Sequence, residues 1–340
     1  MRDAKAKAMD HLKRALRGDA LAAEYALLAL LSRVYVRTES SAPGSLSVNL
    51  RGVSADEAPG FHAAVSDLVP KCVRVPVTTK SLSEKFKFSP KKDYEADRLM
   101  MSSLQLSDGT VVVLDETTLE PGQVGEEGVG NLAALGSLVS LQKVPYDFGF
   151  YKMDFPVDHP TVSLSLRGSI VPFSAVVPVV PATTSAGTGA GAEEEGAGQA
   201  LVLVLERLRV YVEATRRTSL TLDEASSALA EEDFVKARQE GHAVTAEDFH
   251  RMLTIARLTA LSLGDTTVTA EHWSHMKSLE ASVSARKREM AGATGVAGRR
   301  STSSTSASEV PAAANTAAVG ATPISPCRQA GPLNSIPEND

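Results

Sequence analysis

Residues 18–25 read Gly-Asp-Ala-Leu-Ala-Ala-Glu-Tyr. That is the spacing of a phosphate-binding loop, Gly-x-x-x-x-[Gly/Ala]-Lys-[Ser/Thr], with its last two positions changed. In a working loop the Lys neutralises the β- and γ-phosphates and the hydroxyl ligates Mg²⁺. Gly18 and Ala23 keep the small residues, whereas Glu24 and Tyr25 replace the Lys and the hydroxyl. A carboxylate there repels a polyphosphate, and a phenol is a poor Mg²⁺ ligand. The second feature is Val111-Val-Val-Leu-Asp115-Glu116. Four apolar residues ending in Asp-Glu are how a hydrolase strand presents an Mg²⁺-binding Asp and a water-polarising Glu. Asp115 and Glu116 fit equally well as the acidic end of any buried strand. Together the two features predict a nucleotide-hydrolase scaffold without hydrolysis, holding no catalytic residue, cofactor or metal.

The elements that must position these residues follow from hydrophobic periodicity. Residues 3–17 and 20–36 predict two helices interrupted at Gly18-Asp19. A strand at 45–50, a helix at 57–68 and a strand at 72–79 come next. Tyr94, Ala96, Leu99, Met100 and Leu104 predict a helix over 93–106, ended by the turn residues Ser107-Asp108-Gly109. Val111–Leu114 reads as a buried strand. Alternating strands and helices over 20–150 predict an α/β sandwich. Five prolines between 156 and 181 predict short strands over 145–180. Residues 182–199, rich in Ala, Gly and Glu, read as a flexible linker. Beyond them the pattern is helical. Capping boxes are expected at Thr221-x-x-Glu224 and Thr245-x-x-Asp248, a stop at Gly264, and a last helix from Thr269 to about residue 288. The tail from 289 is poor in apolar residues and reads as disordered.

The chain has 340 residues, 43% of them hydrophobic, and a formal charge of −6. Mild acidity opposes a dominant nucleic-acid or membrane-surface role, because both want a basic face. Cys72 and Cys327, far apart in unlike contexts, fit a reducing compartment better than a disulfide framework. No apolar run is long enough to span a bilayer, and the N-terminus lacks the apolar core of a secretory signal. His272 and His275 have a spacing that can bind metal, but with no nearby Cys or further His a solvated helix face is expected. Arg286-Lys-Arg288 and Arg299-Arg300 are candidate nuclear import residues, and Thr322-Pro and Ser325-Pro are candidate phosphorylation sites. Phe86, Phe88, Tyr94 and the stretch 145–156 hold much of the aromatic content, as core or as a protein-binding surface.

Both nucleotide-site features, with long stretches around them, resemble the minichromosome maintenance (MCM) complex-binding protein family. Matching text includes Phe86-Lys-Phe-Ser-Pro-Lys-Lys-Asp-Tyr94, Leu114-Asp-Glu-Thr-Thr-Leu-Glu-Pro-Gly-Gln123 and Tyr146-Asp-Phe148. It continues with Met153-Asp-Phe-Pro156, Val244-Thr-Ala-Glu-Asp-Phe-His250 and Leu261-Ser-Leu-Gly264 through Trp273. The resemblance covers about residues 10–285. It implies a degenerate AAA+-like (P-loop type) α/β sandwich over 1–181, a linker over 182–199, an all-α lid-like subdomain over 200–288 and a disordered tail over 289–340. By that resemblance Glu247 stands where active helicase subunits carry an Arg that touches nucleotide, and no Ser-Arg-Phe-Asp finger motif is present. It further implies a nuclear, non-enzymatic protein. This protein would bind MCM helicase subunits and regulate their assembly or unloading from chromatin during replication and sister chromatid cohesion. It would have no direct nucleic-acid or membrane partner. The family's longer members carry an N-terminal half that this sequence lacks. The alternative expectation is a residual nucleotide-binding ATPase module using Asp115 and Glu116.

Overall fold

A computed structural model describes residues 1–38, 41–182, 195–222, 224–239 and 245–300. The chain begins with α1 (Arg2–Ala15) and α2 (Ala20–Leu31). Asp19 caps α2, its carboxylate accepting the N–H groups of Leu21 and Ala22. Apart from Glu24, α2 is apolar on every side from Ala22 to Leu31, and those residues are buried. It stops five residues before the expected end, at Ser32, whose backbone turns extended.

Next come β1 (Val48–Arg51), α3 (Ala58–Leu68), β2 (Cys72–Pro76) and α4 (Thr79–Ser83). Where a helix was expected over 93–106 the chain forms β3 (Lys91–Asp93) and β4 (Arg98–Met100), an antiparallel pair. Local turn chemistry overrides the helical spacing. Asp93 Oδ1 accepts the N–H groups of Glu95 and Ala96, and Asp97 adopts a positive φ of 44°. Then follow β5 (Val111–Asp115), α5 (Glu126–Leu141), β6 (Lys143–Asp147), β7 (Lys152–Pro156), β8 (Thr161–Ser165) and β9 (Ala175–Pro178).

The main sheet is parallel throughout, in the order β2-β5-β8-β1-β9. Both its faces are covered, which is why β5 reads as an unbroken apolar run. Val111 and Val113 enter one core with α1, α2 and α3, while Val112 and Leu114 enter another with α5. A second sheet, β4-β3-β6-β7, stands beside the first.

The C-terminal part consists of α6 (Glu195–Arg217), β10 (Thr221–Leu222), α7 (Glu224–Gln239), α8 (Ala246–Leu263), β11 (Thr267–Val268) and α9 (Ala270–Arg300). Thr245 and Asp248 form the expected capping box, and Gly264 ends α8 at φ 89°. Thr221 lies in β10, and residue 223 of the box expected there falls outside the described residues. The last helix runs past 288 to Arg300. Leu208, Tyr211, Ile255, Trp273 and Met276 join the same core as α1 and α2. The apolar cores and the sheets lie within the compact unit Met1–Ala293. Residues 183–194 of the expected linker and 301–340 of the expected tail lie outside the described residues.

Candidate functional site

The structure corrects the placement of the phosphate-loop-like segment. A phosphate loop joins a strand to a helix, but Gly18–Tyr25 joins α1 to α2. Ala23 and Tyr25 are wholly buried in the helical core. The Tyr25 hydroxyl donates to Glu280 of α9 at 2.7 Å. Burial, then the neighbouring Glu280 carboxylate, raises its pKa far above the usual phenol range. Glu24 is bonded by Lys5 and His275, each at 3.0 Å. Burial works to raise the Glu24 pKa, but Lys5 and His275 outweigh it and hold the carboxyl below its ordinary range. These side chains fasten α1, α2 and α9 together. Asp19 beside them is fully buried and receives two bonds from Arg286, at 2.6 and 3.0 Å.

The same glycine-led spacing recurs at a strand–loop–helix junction, β1–α3. It opens at the carboxyl end of β1, next to β8, where the sheet's connections diverge to opposite sides, the usual ligand crevice of such sheets. Its residues Gly52-Val-Ser-Ala-Asp-Glu57-Ala58-Pro59 have phosphate-loop spacing, with Glu57, Ala58 and Pro59 in the places of Gly-Lys-Ser/Thr. A working loop aims its N–H groups at the phosphates. Here Gly52 and Val53 both donate to the Ser165 carbonyl, at 2.7 and 3.2 Å. The Ser54 N–H and hydroxyl donate to Glu57 Oε2 at 2.8 and 2.9 Å. Arg17, next to the segment first singled out, closes the loop from above. Its Nε lies 3.1 Å from Glu57 Oε1 and its Nη2 donates to the Gly52 carbonyl at 2.6 Å. The first three N–H groups are thus consumed internally, in the manner of a helix-start box. This junction was legible in the sequence: a strand ending near residue 50, Gly52, then a helix from 57.

Asp115 and Glu116 sit at the carboxyl end of β5, one strand beyond β8. Both are buried and both are engaged. Asp115 Oδ1 accepts the N–H and hydroxyl of Thr117 at 3.1 and 2.6 Å. Glu116 Oε1 accepts the hydroxyls of Ser163 and Ser169, each at 2.6 Å, and Oε2 accepts the Ile170 N–H at 2.9 Å. The chain of bonds continues inward. Asn49 Nδ2 donates to the Ser163 and Ser165 hydroxyls, and Ser165 donates back to Asn49 Oδ1. Through these three donors Glu116 ties loop 166–170 to the sheet. Sequence reasoning missed Asn49, Ser163 and Ser165, because polar residues inside buried strands carry no periodic signal, and missed Ser169, a loop serine with no motif around it. Glu116 also borders a cleft of about 650 Å³, lined by Leu82, Leu119, Val124, Leu132, Leu166 and Ile170 among others.

The remaining candidates are held apart. His272 is buried, not solvated as expected. Its Nδ1 accepts the Thr269 N–H at 3.1 Å and its Nε2 faces Asp265 at 3.2 Å, so it caps α9. No metal-capable group of three or more His, Cys, Asp or Glu exists among the described residues. Burial pushes the Cys72 thiol up to about 11, the mark of an inert thiol. Glu247 is exposed in the first turn of α8. Arg286 is committed to Asp19, which removes one cation from the basic run 286–288. Cys327, Thr322 and Ser325 lie outside the described residues. No helix among the described residues is long and apolar enough to cross a membrane.

Fold and site define a mixed α/β protein on a parallel sheet, whose strand-end crevice is occupied by its own side chains. The chain belongs to the mini-chromosome maintenance replisome factor family, whose model matches residues 1–287. It is 35% identical over 282 residues to the mini-chromosome maintenance complex-binding protein of Salmo salar, covering 82% of this chain and 45% of that protein. The Homo sapiens protein of the same name is 34% identical over 81% of this chain and 43% of its own length. For Arabidopsis thaliana the figures are 34%, 80% and 45%. The chain therefore spans less than half the length of these curated relatives.

Proposed function

We propose that this chain is a non-catalytic partner of MCM helicase subunits, binding them in the nucleus and regulating their assembly or unloading from chromatin during replication and sister chromatid cohesion. The observation that carries this reading is the family match over residues 1–287, with relatives named for binding the MCM complex. We propose further that the body is a degenerate AAA+-like scaffold. Strand β1 feeding a loop and helix at the switch point, and Asp115-Glu116 ending a strand two places away, support this descent. An ATPase-like body fits beside ATPase subunits by shape while contributing no phosphate-binding Lys. The β1–α3 loop, closed by Glu57 and Arg17, supports the non-catalytic half of the reading. Purified chain immobilised with purified MCM subunits is expected to retain at least one of them. Calorimetry with ATP is expected to show no heat of binding at about 1 mM, the upper end of the affinity range of enzyme sites. Retention of no subunit would overturn the binding reading. ATP binding abolished by Asp115→Ala would favour the residual ATPase module.

A further inference from the structure

The turn between β6 and β7 reads Phe148-Gly149-Phe150-Tyr151, and it holds its rings in water. Phe150 is 89% exposed, Tyr151 and the neighbouring Tyr94 each 55%. Met153 and Phe155 continue the apolar surface along β7, an edge strand, at 46% and 38%. A monomer gains nothing by displaying such a cluster, and aromatic rings on a shared patch mark contact sites.

The rings are also fixed in place. Gly149 takes φ 76°, and its N–H is bound by Asp147 Oδ1 at 2.8 Å. Phe148 and Tyr151 close the turn by a backbone bond and stack at 5.1 Å. The Tyr94 hydroxyl donates to the Phe148 carbonyl at 2.7 Å, and its ring meets Phe150 edge-on at 5.6 Å. A pre-set aromatic tip loses little freedom on docking.

Charge selects the occupant. Segments 84–101 and 143–156 carry seven Lys or Arg and six Asp or Glu. Lys91 pairs with Asp147, Lys92 with Asp97 and Lys87 with Glu84. Lys91 and Lys92 also lie over the rings of Phe86 and Tyr94. Seven cations interspersed with six acids, three of the cations in ion pairs, do not form the positive stripe that a phosphate backbone or an anionic bilayer requires. The complement of a neutral aromatic tip is an uncharged apolar cleft on a protein.

We infer that the β6–β7 tip, with Phe150 at its centre, is the element that inserts into an apolar cleft of an MCM subunit. The inference rests on the partner proposed above and adds the surface. It is tested with purified full chain and purified MCM subunits, comparing wild type, Phe150→Asp and Val210→Asp. Val210 is 68% exposed on α6, a helix that packs against α1, α2 and α3. Near-ultraviolet circular dichroism and melting confirm that both variants fold, as expected for substitutions at surface positions. The expected result is a loss of at least about tenfold in affinity for Phe150→Asp, as for a centre-of-interface aromatic, with Val210→Asp unchanged. Wild-type binding with Phe150→Asp equally tight overturns this inference alone. An equal loss in Val210→Asp overturns it too, as does a salt-dependent DNA shift that Phe150→Asp abolishes. Wild type that retains no subunit overturns the partner reading itself.

Discussion

Glu57 precedes α3 and Glu116 follows β5, and each carboxylate accepts donors from its own chain. Their roles are therefore structural. Glu116→Gln keeps the shape but turns one acceptor into a donor facing Ser163, Ser169 or the Ile170 N–H. A mismatched buried hydrogen bond of this kind costs about 1–3 kcal/mol. The urea midpoint should fall accordingly, with no change in nucleotide behaviour; an unchanged midpoint would contradict the structural role. Arg286→Ala removes both bonds to buried Asp19, and hydrogen bonds to charged groups put the loss at about 2–3 kcal/mol. A loss below about 0.5 kcal/mol, the range of ordinary surface changes, would sink that assignment. His159 supplies a pH dependence. Burial lowers its pKa, and the nearby Asp108 and Asp158 carboxylates do not cancel that. The unfolded ring takes up a proton near pH 6.5, roughly, while the folded one resists it, so stability present above that value is lost on acidification. Melting from about pH 7.5 to 5.5 should destabilise wild type more than His159→Leu; parallel curves would refute this.

At the scale of elements, the sequence made some things plain and hid others for physical reasons. Val111–Leu114 was legible as a strand because both its faces are covered and no polar alternation interrupts it. Thr245 and Gly264 were legible because caps are local chemistry. The helix expected over 93–106 failed because Asp93 and Asp97 impose a turn that spacing cannot reveal. The phosphate-loop spacing was read at residues 18–25, which join two helices, whereas the same spacing at 52–59 follows a strand and precedes a helix. Spacing alone does not distinguish the two, and the element before the glycine does. The acid pair was found, but not Ser163, which donates to Glu116, nor the Asn49 bonds behind it, since those join strands far apart in sequence. One element-level prediction follows from the two-sided sheet. Leu50→Ala at the centre of β1 should cost about 2–5 kcal/mol in chemical denaturation, because the residue is wholly buried. A cost typical of a surface site would mean that β1 is not central.

At the scale of the whole molecule, one apolar core joins α1 and α2 to α6, α8 and α9, so the helical part stabilises the body that carries the sheet. Polar groups at the ends of β1 and β5 are bonded within the chain, while the aromatic tip at β6–β7 stays exposed. That division suits a protein that works by contact and not by turnover. The measurement that tests this most directly is a binding titration of the purified chain against individual MCM subunits, repeated with and without ATP. The account predicts saturable binding to at least one subunit, unaffected by nucleotide on the side of this chain. Absence of binding to every subunit, or hydrolysis of ATP by the chain alone, would contradict it.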